Sequence, residues 1–63
     1  MTYHIHVAHY AERFAVYAVR DDDNKIVSSC TGCHDLQTAQ DRALQYHFSF
    51  GRAPIVYAKE LQP

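Results

Sequence analysis

One segment limits the fold more than any other. Arg13-Phe14-Ala15-Val16-Tyr17-Ala18-Val19-Arg20 is apolar at every position between two arginines. Its aromatic and β-branched residues favour an extended strand. In a strand, Phe14, Val16 and Ala18 project to one face and Ala15, Tyr17 and Val19 to the other. Both faces are therefore apolar, so this strand is expected at the centre of a sheet that needs cover on each side.

The neighbouring segments supply the sheet. Tyr3, Ile5 and Val7 alternate with His4 and His6, the period of a half-buried strand over residues 3–7, and residues 9–12 are read as the turn that follows. Asp21-Asp22-Asp23-Asn24 is a turn signal, because Asp and Asn tolerate left-handed backbone and hydrogen-bond their own main chain. Lys25 to Cys30 then returns as a third strand. After Gly32 the period changes. Leu36, Ala39, Ala43, Tyr46 and Phe50 recur at three- and four-residue spacing, with Leu44 and Phe48 widening the stripe, which predicts a helix over 36–49. Asp35 suits its N-cap and Gly51 its C-terminal end, while the small Ala39 and Ala43 let it lie close to a sheet. Pro54 opens a last extended segment, Ile55 to Lys59, expected at a sheet edge.

The expected fold class is α+β: a single β-β-β-α-β domain over residues 1–63, a mainly antiparallel sheet with one helix packed on one face. If the last strand pairs with the first, it runs parallel to it and the helix becomes a right-handed crossover. One helix covers one face of four strands, and the other face of the central strand is left apolar and bare. A chain of 63 residues buries only about 60% of the surface its unfolded form exposes, so a metal, a disulfide or a second subunit is the expected support.

Composition removes several function classes. No apolar run approaches the roughly 20 residues that span a bilayer, and residues 1–6 lack the pattern of a secretory signal, so the expected location is cytoplasmic, with no membrane partner. Six Lys and Arg stand against seven Asp and Glu, and the six are scattered, which argues against electrostatically driven nucleic-acid binding. Five histidines move that balance towards positive below about pH 6.

Cysteine and histidine form the sharpest chemical pattern. Cys30-Thr31-Gly32-Cys33 is a C-x-x-C with Gly inside, the local form of a zinc knuckle, and His6-Val7-Ala8-His9 is an H-x-x-H. His6, His9, Cys30 and Cys33 are thus the candidate metal ligands, with His4 and His34 as spares. Zinc there would stabilise so small a domain considerably. Against it, His6 falls on the face away from Val7, and Cys30 continues a strand pattern as a small apolar residue. Cys30 to His34 also spells the C-x-x-C-H of haem attachment, which requires an export route, and the C-x-x-C alone matches a redox dithiol, which lacks its preceding βαβ unit.

Ile26 to Cys33, followed by the Thr38-Ala39-Gln40-Asp41-Arg42-Ala43-Leu44 helix, resembles the second half of Lar-type restriction-alleviation proteins, small phage-borne zinc proteins. The resemblance covers under half the chain. It departs in lacking the first cysteine knuckle, with only His6 and His9 near its place, and in reading Tyr46-His47-Phe48-Ser49 where a Trp-Asn-x-Arg helix end is expected. It implies a mobile-element accessory protein that counters a host system.

No catalytic constellation is present. Ser28, Ser29 and Ser49 lack a nucleophile-elbow setting, and there is no phosphate-cradling glycine loop. His34 beside Cys33 is the only thiol and base pair in sequence, and adjacent residues rarely point together. Asp21, Asp22 and Asp23 read as a solvated turn before a cation site. The expected function is that of a non-enzymatic protein-binding module, an accessory or inhibitor protein that docks on itself as a homodimer, or on a larger protein or nucleoprotein machine, through its bare sheet face and acidic hairpin. Tyr3, Tyr10, Tyr17, Asp21, Asp22, Asp23, Arg52 and Tyr57 are the candidate partner-binding residues, since Tyr and Arg are enriched at interfaces. The alternative is a zinc-stabilised nucleic-acid-binding module using Arg13, Arg20, Lys25 and the sheet aromatics as a stacking platform.

Overall fold

In the computed structural model, which describes residues 2–62, the order is β1 (Tyr3–Tyr10), β2 (Arg13–Arg20), β3 (Lys25–Cys33), α1 (Leu36–Ser49) and β4 (Ile55–Tyr57). A single 3-10 turn, Lys59–Leu61, follows. The four strands lie in the order β3-β2-β1-β4, antiparallel except that β4 runs parallel to β1. This is the expected α+β arrangement, with β2 inside the sheet and β4 on its edge. Met1 and Pro63, the ends of the expected domain, lie outside the described residues.

Three boundaries differ from the expectation. β1 continues through His9 and Tyr10, and only Ala11 and Glu12 turn the chain before Tyr10 pairs with Arg13. A tight turn of this length needs left-handed backbone, and Ala11 supplies it at φ 56°, a conformation usually given to Gly or Asn. With neither residue there, residues 9–12 read as a longer loop. The β2–β3 turn follows the rule, with Asn24 at φ 55°. β3 runs on to Cys33, and β4 stops at Tyr57.

Two bulges shape β3. Val19 pairs with Ile26 and Ala18 with Ser28, so Val27 is an extra residue; Val16 pairs with Cys30 and Phe14 with Cys33, so three steps on β3 face two on β2. An extra residue reverses which way the following side chains point. The C-x-x-C is therefore extended strand and not the tight turn of a knuckle.

Residues directly opposite across a ladder share a face. On one face Ile5, Val7, Val16, Ala18 and Cys33 form the core with Ala39, Ala43 and Ala53. Its largest fully buried side chains are Ile5, Val7, Val16 and Cys33. Ala39 and Ala43 are the two buried residues of α1, so the helix approaches the strands closely, as their size predicts. The Asp35 side chain caps α1 by accepting from the Thr38 backbone N–H at 2.8 Å. At the other end the Phe50 N–H donates to the Tyr46 carbonyl at 2.9 Å, and Gly51 at φ 72° leaves the helix. Leu44 and Phe48 do not widen the buried stripe. They are 50% and 61% exposed, because Phe48 stands about 160° round the helix from the Ala39 and Ala43 row.

Candidate functional site

Among the described residues, no element covers the face of the sheet opposite α1. Its side chains follow from the register: His4, His6, Ala8 and Tyr10 on β1, Arg13, Ala15, Tyr17 and Val19 on β2, Ile26 and Ser29 on β3, and Val56 on β4. Ile26, Val56 and Tyr10 are exposed, and His6 and Tyr17 half-buried. Ala15 is fully buried and Val19 nearly so, yet neither belongs to the core cluster under α1. Their short side chains lie at floor level between the longer ones. Tyr17 stands at the middle of β2, directly across from His6, and the two rings stack with centroids 6.5 Å apart. The arrangement is an apolar floor with an aromatic pair at its centre.

The two ends of this face differ in charge. At one end lie Asp21, Asp22 and Asp23. His4 Nδ1 donates to Asp21 Oδ1 at 2.6 Å, and Arg20 donates two hydrogen bonds to Asp23 at 3.0 and 2.7 Å. The His4 contact and Thr2 hold the Asp21 carboxyl below the usual carboxylate range, and Arg20 does the same for Asp23. Two of the three carboxylates of the turn are therefore held by their own chain, whereas Asp22 forms no ion pair among the described residues. At the other end Arg13 donates to His34 Nδ1 at 2.6 Å, a contact that leaves its charge without a carboxylate.

The remaining candidates are spread over the molecule. Tyr10 is exposed beside the β1–β2 turn. Tyr3 and Tyr57 lie on the helix side, packed against the core, and the Tyr3 ring meets Phe50 at a tilt, with centroids 5.1 Å apart. Tyr3 and Arg52 come together in a shallow hollow of about 310 Å³ that Phe50 and Pro54 also line. Arg52 itself is exposed. The structure thus gathers Tyr17, Tyr10 and the three aspartates around the open face and its rims, and separates Tyr3, Tyr57 and Arg52 from it. His6, Ile26 and Val56 complete the face; residue type alone does not single them out as binding residues, although the alternation of β1 sets His6 on the face away from Ile5.

The four candidate metal ligands are not brought together. Cys30 and Cys33 face α1, with their sulfurs 3.8 Å apart. His9 lies on that same face, against Phe14 at 4.8 Å, and His6 is on the opposite face. Among the described residues no group of three or more His, Cys, Asp or Glu side chains clusters as a metal site would. Burial pushes the Cys33 thiol up, and the neighbouring Cys30 adds to this, so it holds its proton at neutral pH. Asp35, not a cysteine, occupies the N-terminus of α1. The pair behaves chemically as two thiols packed beside the core.

No family model, curated protein or solved structure matches this chain, so the partial resemblance to Lar-type proteins gains no support from comparison. No helix among the described residues is long and apolar enough to cross a membrane.

Proposed function

We propose that this chain is a non-enzymatic protein-binding module that works through the open sheet face, acting as an accessory or inhibitor of the protein it contacts. The observation that carries the reading is the uncovered face itself: Tyr17 and His6 stacked at the centre of a floor of Ala8, Ala15 and Val19, flanked by exposed Ile26 and Val56. Each piece fits a role in binding. A rigid sheet holds the aromatic pair without further ordering, and buried aromatic anchors surrounded by a less critical rim are where binding energy concentrates. The Asp21–Asp23 turn, with Asp22 unpaired, gives one end of the face a negative rim suited to a basic partner surface. Two free thiols fit a reducing compartment, the cytosol. The zinc-dependent nucleic-acid reading is not favoured, because His6 and the two sulfurs lie on opposite faces.

The test is affinity capture from the source cell by the native chain and two variants. Tyr17→Asp places a charge on the open face, and Leu44→Asp places one on the exposed side of α1. Proteins retained by native chain and by Leu44→Asp but lost by Tyr17→Asp support the reading. Equal capture by all three, with circular dichroism unchanged, defeats it.

A further inference from the structure

We propose that the open face is covered by a second copy of this chain, the two sheets stacked about a twofold axis that lies between them and across the strands, so that the two β2 strands run in opposite directions. The inference rests on the protein-binding reading and names the occupant of that face.

Three features point to a face-to-face pair. First, both edges of the sheet are poor templates for added strands. β4 has three residues, and β3 is interrupted by two bulges, which twist an edge away from regular pairing. Growth sideways is blocked, and the face is left as the route of association. Second, the face is complementary to itself when turned end for end. Arg13, which forms no ion pair among the described residues, is at one end of β2, and Asp22, which likewise forms none among them, lies just beyond the other end. The turn residue Glu12 is next to Arg13 in the chain but forms no ion pair with it. Reversing one sheet over the other sets each Arg13 against the partner copy's acidic turn, twice per dimer. A parallel arrangement would instead set like charge against like. Third, relief matches. With the axis across β2 at Val16, Tyr17 of one copy falls over Ala15 of the other, and His6, level with Tyr17, falls over Ala8, level with Ala15. Large side chains then meet small ones, as in a packed interior.

The size of the face is sufficient. Strands about 4.8 Å apart and a β2 of eight residues at about 3.3 Å each give a footprint of roughly 400–500 Å² per copy. Two copies together bury about 800–1,000 Å², the size of a weak, transient interface, so the dimer forms and dissociates with concentration.

Sedimentation equilibrium in low salt, from about 1 to about 300 µM chain, tests this. The native chain is expected to pass from monomer to dimer. Tyr17→Asp is expected to remain monomeric with an unchanged circular dichroism spectrum. Arg13→Glu and Asp22→Lys are each expected to weaken the dimer about tenfold, and the double variant Arg13→Glu with Asp22→Lys to recover most of that loss. Failure of the double variant to recover overturns the reversed register. A chain monomeric throughout overturns the second copy as occupant; if Tyr17→Asp still abolishes capture of another protein, the binding reading survives, and if it does not, both fall.

Discussion

The two faces of the sheet share the same strands and almost the same alternation, yet they have different consequences. On the covered face, Ile5, Val7, Val16 and Ala18 are fully buried by a helix that contributes only Ala39 and Ala43 at full depth. The contact is close and the side chains small, so every methyl group there has a fixed neighbour. On the open face, apolar residues of the same strands are sheltered only by one another, and Val56 remains 44% exposed. The first face holds the fold together and the second is left for an encounter.

The most severe way to break that contrast is to open the covered face. Ile5→Ala leaves a cavity under α1 and is expected to cost about 2–5 kcal/mol, which in a domain of this size removes most or all of the native population. Urea unfolding followed by circular dichroism at low micromolar concentration reads it free of any self-association. Ala43→Leu attacks the same contact from the helix side. It forces α1 off the strands and is expected to destabilise by about 1–3 kcal/mol, by the same measurement.

A smaller effect tests the helix that makes one face different from the other. The Thr38 side chain, and after it the Thr38 backbone N–H, hold the Asp35 carboxyl below its ordinary 3.8, so the stabilising effect is present above that pH and is lost as the pH falls further, through the lowered folded value. Asp21 and Asp23 are lowered as well and act in the same sense. The urea midpoint is expected to fall in acid, and Asp35→Ala is expected to lower it at neutral pH and to shrink the acid-dependent part. Smallest of all is Val56→Thr on the open face. At low concentration it is expected to change stability by about 0.5 kcal/mol or less. A large loss there would show that the open face, too, belongs to the core.

The same contrast explains what was readable in advance. Alternation in residues 3–7, the β2 segment and the helical spacing after Asp35 placed β1, β2 and α1, because each packs against the core and its period records that packing, whereas the 3-10 turn at Lys59–Leu61 left no such trace. Boundaries that depend on backbone geometry left less trace. Ala11 turns left-handed without a residue type that announces it, and the extra residues of β3 are invisible to spacing, since a bulge is defined only by its partner strand. The candidate site was legible as a bare apolar face but not as a set of residues. Tyr3 and Tyr57 share a type with Tyr17, and only the register reveals that they lie on the other side of the sheet. The cysteine motif shows the same limit: spacing alone does not tell that β1 sets His6 on the face opposite Cys30 and Cys33.

The bulge between Cys30 and Cys33 has an arithmetical meaning. Side chains on a strand obey odd and even, and two residues three apart should look in opposite directions. One surplus residue changes the parity, and both sulfurs turn inward together. The surplus residue is therefore a switch of parity: it sets both thiols on the helix side of the sheet, Cys33 buried and Cys30 partly so.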